Sequence, residues 1–306
     1  LLRGLSHSRR HCRHLSPTGR IRVSDLPILA EPREGVPPVV NTPDSLTHTC
    51  RALSNGHGPI AIDTERAHGF RYSPRACLIQ LRRDGSGTHL VDPLALGGAV
   101  GLKPLAKALA GTQWILHAAT QDMPCLAMDG LRPDDLFDTE LAGRLLNLPR
   151  VSLGPMVERY CGVTLLKEHS ASDWSRRPLP RDWQVYAALD VELLNDLREK
   201  ILSDLHEAGK EEWARQEFAH LVEIAADLPS EEPGVDPKRW RKISHIGDIR
   251  SRAGLQVAHD LWLARENLAH DLDIMPGRLL HDEALVAAAR HLSLIHISEP
   301  TRPLYI

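Results

Sequence analysis

The chain lacks the sequence features that mark several common protein classes. It has only five cysteines among 306 residues and no Cys-x-x-Cys pair, which argues against a disulfide framework and against a zinc knuckle. No apolar run approaches the roughly 18 residues of a membrane helix. The net charge is -3, whereas nonspecific nucleic-acid binders are usually basic. We therefore expect a cytoplasmic protein with free thiols and no membrane contact.

Three familiar catalytic motifs are also missing. The sequence contains no Gly-x-x-x-x-Gly-Lys phosphate loop, no Gly-x-Ser-x-Gly nucleophile elbow and no His-Glu-x-x-His zinc helix. Each of these motifs places a specific chemical group on a specific turn or helix. Their absence removes support for a P-loop nucleotidase, a serine hydrolase of the elbow type and a zinc protease.

The hydrophobic pattern predicts a mixed α/β core with a helical second half. Short apolar runs predict strands at 59–64, 76–81, 89–92, 114–117 and 136–139, and longer periodic stretches predict helices at 44–54, 102–110, 119–129 and 140–147. The connections between the first three strands are short, which favours antiparallel neighbours. From about residue 152 onward the pattern is almost entirely helical.

Composition and hydrophobic pattern divide the chain into four predicted parts. The predicted parts are a lead-in at 1–43 that is extended or disordered, an α/β unit at 44–227, a linker at 228–236 and a helical unit from 237 onward. The first 22 residues hold six arginines and no acid. They lack the apolar core of a secretory signal, and an organelle transit peptide is a less favoured alternative to a cytoplasmic location.

Carboxylates at three places along the chain are the candidate catalytic groups. Asp63 and Glu65 end the first strand on one face, and Asp122 opens a predicted helix. Tyr186 and Asp190 are four residues apart in a helix and share a face. Taken singly, each motif has a structural alternative. Asp63 and Glu65 could be solvated acids at a strand end, and Asp122 could interact with the helix dipole. Tyr186 could be a core tyrosine beside an exposed Asp190. If the four carboxylates converge, divalent cations would offset their repulsion, as in two-metal phosphodiester hydrolysis.

In combination these segments resemble the ribonuclease D family of 3′–5′ exonucleases. The matching segments are Leu116-His-Ala-Ala-Thr-Gln-Asp122, Phe137-Asp-Thr139, Ser172-Asp-Trp174 and Tyr186-Ala-Ala-Leu-Asp190, in the family's order and spacing. The resemblance implies an RNase H-like mixed β-sheet flanked by helices, and makes 44–227 the exonuclease domain. Position 185 is Val, so the chain resembles the branch with Tyr four residues before the last Asp, and not the histidine branch.

The resemblance also implies roles for individual residues. Asp63, Glu65 and Asp190 would hold one divalent cation, and Asp63 and Asp122 a second. The all-oxygen ligand set favours Mg²⁺ or Mn²⁺ over Zn²⁺, and Tyr186 would orient the attacking water through its hydroxyl. The candidate substrate-binding residues are Lys167, His169, Ser170, Trp174 and Gln80. For Trp174 a role as a core anchor is favoured over a substrate contact.

The helical unit at 237–292 resembles an HRDC domain, a helical module that binds nucleic acid. Its basic cluster is the candidate phosphate contact and includes Lys238, Arg239, Arg241 and Lys242. An ordinary charged surface is the alternative. The tail at 293–306 does not continue the family pattern and resembles translated sequencing-adapter sequence, so we expect the HRDC-like unit to be incomplete.

The resemblance thus implies an enzyme, expected to be monomeric, that trims RNA 3′ ends, for example of transfer-RNA precursors, and releases nucleoside 5′-monophosphates. A DNA 3′–5′ exonuclease of the same fold is one alternative. A catalytically inactive nucleic-acid-binding module is another, although all four carboxylates and Tyr186 are present.

Overall fold

A mixed six-stranded sheet lies at the centre of the computed structural model, which describes residues 26–166, 171–232 and 234–298, with side chains up to residue 291. The strands are β1 (Ile28–Leu29), β2 (Val39–Val40), β3 (His57–Glu65), β4 (Leu78–Asp84), β5 (Gly87–Val91), β6 (Gln113–Leu116), β7 (Asp135–Asp138) and β8 (Thr164–Leu165). The sheet order is β2-β5-β4-β3-β6-β7, while β1 and β8 form a separate parallel pair.

The first three long strands form an antiparallel meander, as predicted: β3 pairs with β4 and β4 with β5. On the other side of β3, strands β6 and β7 run parallel to it. The parallel connections contain helices, as a crossover between parallel strands requires. The mixed α/β class and the helix-flanked sheet are therefore confirmed.

Helices cover both faces of the sheet. The helices of the α/β unit are α1 (Pro43–Asn55), α2 (Gly98–Gly101), α3 (Lys103–Leu109), α4 (Met123–Met128), α5 (Thr139–Leu145), α6 (Leu153–Cys161), α7 (Arg181–Glu192), α8 (Leu194–Glu207) and α9 (Glu211–Asp227). The helices of the C-terminal unit are α10 (Arg252–Leu272), α11 (Pro276–Leu279) and α12 (Asp282–Ser298). Within the described residues, no helix is both long and apolar enough to cross a membrane.

Alternation along β3 sends its side chains to two different layers. Ile60 and Ile62 enter a core that includes residues of α1, α3 and α4. Ala61 instead joins the core that includes residues of α8, and Asp63 and Glu65 lie on that same face. The acids that end β3 therefore point toward the layer that contains α7, which contacts β3, β4 and β5.

Three segments differ in detail from the sequence prediction. The predicted helix at 119–129 is split into a 3₁₀ turn at Ala119–Gln121 and α4, because Pro124 has no backbone N–H and suits only the first turn of a helix. The predicted lead-in contributes β1, which pairs with β8, and β2, which pairs with β5. Helix α12 continues to Ser298, past the predicted boundary at 292.

Asp138 links the end of β7 to the turn that follows β6. Its carboxylate accepts hydrogen bonds from Ala118 N at 3.2 Å and Ala119 N at 2.8 Å, and from two backbone amides in the first turn of α5 at 2.8 and 3.1 Å. Ala118 has a φ of 62°, a left-handed conformation that is uncommon for alanine. Asp138 thereby holds the strained turn that leads to Asp122.

We expect Asp138→Ala to lower the free energy of unfolding by about 2–4 kcal/mol, because a helix cap and two further charge-assisted hydrogen bonds are lost together. Urea denaturation followed by circular dichroism measures this change. Asp44→Ala is the control, since Asp44 is an exposed acid in the first turn of α1, and its loss should cost less than about 1 kcal/mol. Equal costs for the two variants would contradict the structural role of Asp138.

Candidate active site

Three carboxylates from two elements meet at the end of β3. Asp63 and Glu65 come from the strand and Asp190 from α7, and one oxygen of each lies within 4.8 Å of the others. Helix α7 approaches this closely because it presents Ala187 and Ala188, both fully buried, to the sheet. The structure thus brings together residues that are more than 120 positions apart in the sequence.

The three carboxylates are held in an environment that disfavours their charge. Burial, and then repulsion from Asp122 and Asp190, raises the pKa of Asp63 well above its ordinary value. Burial and the neighbouring acids raise the pKa of Glu65 to about 10. Burial raises the pKa of Asp190 to about 7. Without a cation these groups cannot all ionise at neutral pH.

Asp122 lies beside this group but outside the set that shares the 4.8 Å spacing. It is the N-terminal cap residue of α4, yet its buried side chain caps no backbone amide. One oxygen instead accepts a hydrogen bond from Thr64 Oγ1 at 2.7 Å. Burial raises its pKa to about 6, against the opposing effects of Thr64 and Arg66. The neighbouring His117 contacts Thr139 Oγ1 through its Nδ1 at 2.9 Å.

Arg66 is the site residue that the sequence analysis missed. Its guanidinium lies 3.7 Å from Asp122 Oδ1 and donates a hydrogen bond to the Gln121 carbonyl at 2.6 Å. Its positive charge opposes the raised pKa values of Asp63 and Glu65. The only sequence signal was its position directly after Glu65, on a strand end where acids already suggested a site.

Tyr186 remains a protonated hydroxyl in this setting. Burial, followed by the charges of Asp190, Glu65 and Asp63, raises the pKa of Tyr186 well above its ordinary value. Its hydroxyl donates a hydrogen bond to Asp190, which lowers the pKa of that carboxyl against the effect of burial. The side chain can therefore orient a neighbouring water but cannot act as an anionic base.

Two of the predicted substrate-binding residues are fully buried. Trp174 packs against Trp183 and Tyr186, with ring centroids 5.2 and 6.2 Å apart, so it is a core anchor and does not offer a face for base stacking. Gln80 pairs with Asp63 in the sheet register. Among the described residues, neither amide atom of Gln80 has a hydrogen-bond partner. The other three, Lys167, His169 and Ser170, lie outside the described residues.

The donor set of the acidic group fits one divalent cation. Carboxylate oxygens are the ligands that Mg²⁺ and Mn²⁺ prefer. Glu65 is buried and Asp63 and Asp190 are partly buried, and the close approach of the three acids leaves negative charge that a cation would compensate. The described residues thus provide one candidate cation site at Asp63, Glu65 and Asp190. A second site that uses Asp122 is not part of that close group.

The fold and this acidic group define a class of enzymes, and comparison with known proteins agrees. A family model described as 3′-5′ exonuclease matches residues 37–206. A ribonuclease D from Zymomonas mobilis is 34% identical over 259 residues, covering 83% of this chain. The chain belongs to the ribonuclease D family of 3′–5′ exonucleases.

Solved structures also resemble this chain in fold and in sequence. A protein from Bifidobacterium adolescentis has 44% sequence identity and a TM-score of 0.81, covering 87% of this chain and 64% of its own length. Ribonuclease D of Escherichia coli has 29% identity and a TM-score of 0.61, covering 86% of this chain and 70% of its own. The chain spans 64% of the length of the Zymomonas relative, so it matches less than two thirds of that protein.

We expect Asp190→Asn to raise the melting temperature of the metal-free protein, because it removes repulsion within the acidic group. It should also abolish the stabilisation that Mn²⁺ confers on the unaltered protein, which reaches about 2.7 kcal/mol at 100 times the Kd. Thermal unfolding with and without Mn²⁺ measures both effects. Asp129→Asn is the matched control, since Asp129 is buried, pairs with Arg75 and has a pKa raised to about 6. An unchanged Mn²⁺ effect in Asp190→Asn would contradict the cation site.

The metal-free protein should lose stability as the pH rises from about 5 to about 7.5. Burial raises the pKa of Asp122 to about 6 and that of Asp190 to about 7, while unfolded carboxyls titrate near 4. The folded state therefore binds more protons than the unfolded state across this window, and stability falls with pH. Melting temperatures in chelator should show a shallower decline for Asp190→Asn than for the unaltered protein. Identical slopes would show that Asp190 does not titrate in this way.

Proposed function

We propose that the chain is a metal-dependent 3′–5′ exoribonuclease that releases nucleoside 5′-monophosphates from RNA 3′ ends. The observation that carries this proposal is the convergence of Asp63, Glu65 and Asp190 within 4.8 Å. Membership of the ribonuclease D family and the 3′-5′ exonuclease match support it. The Escherichia coli relative is described as an exoribonuclease involved in structured RNA processing. We extend this to structured RNA, such as transfer-RNA precursors, as the substrate here.

Two divalent cations, Mg²⁺ or Mn²⁺, would supply an activated water and stabilisation of the leaving 3′ oxygen when bound. Asp63, Glu65 and Asp190 would hold the first cation, and Asp63 and Asp122 the second. The Thr64 hydroxyl donates a hydrogen bond to Asp122 Oδ1 at 2.7 Å and so helps to hold the Asp122 side chain. Asp63 would help to hold both cations.

Tyr186 would position the attacking water, because its hydroxyl stays protonated beside Asp190. Trp174 and Trp183 pack in the same cluster as the Tyr186 ring, which limits the positions that the hydroxyl can adopt. The packed Tyr186 ring would therefore direct its hydroxyl toward the acidic group. A water held in the correct orientation by that hydroxyl would react over a lower barrier.

The basic cluster of the helical unit is our proposed second contact with RNA. Lys238, Arg239, Arg241 and Lys242 are exposed at a 3₁₀ turn. Arg239 and Lys242 line a cleft of about 1080 Å³ that Arg66 also lines. Arg241 instead lies over the Trp240 ring at 5.0 Å. Positive groups from both units in the lining of one cleft suit a phosphate backbone.

The proposed organisation is an exonuclease domain at 44–227, a linker at 228–236 and an HRDC-like domain at 237–292. The family match at 37–206 falls largely within the first domain. The second has its own hydrophobic cluster around Trp262 and Leu285, as an independent unit should. A monomer in the cytoplasm is the accompanying proposal, supported by the free thiols of Cys50, Cys77, Cys125 and Cys161.

The two alternative functions make different predictions for simple assays. A DNA exonuclease would degrade a DNA oligonucleotide at least as fast as RNA of the same sequence, because no contact would depend on the 2′-hydroxyl. An inactive binding module would bind RNA without degrading it. Isothermal titration with Mn²⁺ would show no cation binding in that case.

We expect Asp190→Asn to abolish release of nucleoside 5′-monophosphates from single-stranded RNA in Mg²⁺. Tyr186→Phe should lower kcat by roughly 10²-fold or less, because only the orientation of the water is lost, while Mn²⁺ binding persists. Chromatography of the products over time measures both rates. Asp129→Asn should retain near-normal rates.

Two results would contradict this assignment. Undiminished exonuclease rates in Asp190→Asn would show that the acidic group is not catalytic. Loss of Mn²⁺ binding in Tyr186→Phe would show that Tyr186 supports the cation site and does not merely orient the water. Chelator should reproduce the effect of Asp190→Asn in the unaltered protein.

A further inference from the structure

The loop between β3 and β4 begins at the catalytic centre. We call residues 66–77 the β3–β4 loop; it starts at Arg66, directly after Glu65, and closes where Cys77 N donates a hydrogen bond to the Glu65 carbonyl at 2.7 Å. The loop contains no helix or strand before Leu78. A segment with few internal hydrogen bonds takes its conformation from its neighbours.

The C-terminal helical unit supplies many of those neighbours through residues 273–278, which we call the docking turn. Met275 N donates a hydrogen bond to the Phe70 carbonyl at 3.0 Å. Asp273 Oδ1 accepts a hydrogen bond from Ser73 N at 2.9 Å. Asp273 itself has a φ of 48°, a conformation that asparagine and aspartate tolerate better than other side chains. The two units are thus joined backbone to backbone and side chain to backbone.

Arg278 makes the most specific contact of the docking turn. Its Nε donates a hydrogen bond to the Gly69 carbonyl at 2.7 Å, and its guanidinium lies 4.1 Å from the centroid of the Phe70 ring. Phe70 also packs against the hydrophobic cluster that includes Trp174 and is joined by Tyr186. One aromatic ring therefore contacts both an arginine of the helical unit and the cluster beside the catalytic tyrosine.

The loop also contacts elements that surround the acids. Arg71 Nε donates a hydrogen bond to Ser175 Oγ at 2.8 Å, in the segment that precedes α7. Arg66 lies 3.7 Å from Asp122. A shift of the loop would move Arg66 relative to Asp122 and would change the packing around Tyr186.

From these contacts we infer that the C-terminal helical unit positions the β3–β4 loop, and with it Arg66 and Tyr186, for catalysis. The inference rests on the proposed exonuclease function and goes beyond RNA binding by the basic cluster. Arg278 and Asp273 are positioning residues, since they act through the loop and touch none of the four candidate catalytic acids. A helical unit that only tethers RNA would leave the chemistry of a very short substrate unaffected.

The test is the variant Arg278→Ala in the full chain, assayed on a trinucleotide RNA and on a long structured RNA. We expect kcat on the trinucleotide to fall roughly tenfold, because small displacements of catalytic groups are costly, with little change in KM. Arg278→Lys keeps a cation and a donor and should restore part of the rate. Arg250→Ala removes an exposed arginine of the same unit that makes no described contact with the loop, and should leave kcat unchanged.

Hydrogen exchange provides a readout that does not depend on activity. Backbone amides of the β3–β4 loop should exchange faster in Arg278→Ala than in the unaltered protein, while amides of β6 and of α10 should not change. If the unaltered protein degrades no RNA, the proposed function fails, and the exchange result still decides whether the helical unit holds the loop.

Two results would overturn the inference. One is an unchanged exchange rate in the loop of Arg278→Ala. The other is a loss confined to KM on the long RNA, with kcat on the trinucleotide intact, because that pattern would reduce the helical unit to an RNA tether.

Discussion

Repulsion between closely spaced carboxylates is the constraint on which the site depends. Asp63, Glu65 and Asp190 lie within 4.8 Å of one another with pKa values raised by burial and by their mutual charge. Such an arrangement costs stability and persists only because the surrounding structure holds it in place. The fold therefore maintains an anionic pocket that a divalent cation would complete, and the chemistry of the family follows from this unfavourable arrangement.

Apolar packing between the sheet and its helices, together with backbone hydrogen bonds, maintains the pocket. Alternation on β3 places its isoleucines in one core and its acids on the opposite face. Small residues on α7 let the helix approach the sheet closely enough for Asp190 to reach the strand end. Asp138 holds the turn after β6 through four backbone amides, and Asp122 follows that turn. Apolar packing thus sets distances that the charges alone would oppose.

Much of this was accessible from the sequence because its signals are local. Apolar runs with short connections predicted the antiparallel β3–β5 meander, and helical periodicity predicted the long α10. The spacing of Tyr186 and Asp190 placed both on one face of α7. Predictions that needed three-dimensional information fared less well. Arg66 was missed because nothing local shows that its side chain turns toward Asp122. For Trp174 the sequence left both a core anchor and a substrate contact open, because a sequence does not distinguish a buried indole from an exposed one.

The sequence by itself determined the class of fold, the family and the identity of the acids, since these depend on residue type and on short-range spacing. Only the tertiary structure decided which acids share a cation site, that Asp122 is engaged by Thr64 and Arg66, and that the helical unit rests on the loop beside the site. The physical reason is distance along the chain. Contacts between residues 100 or 200 positions apart depend on how whole layers pack, and no local pattern encodes that geometry.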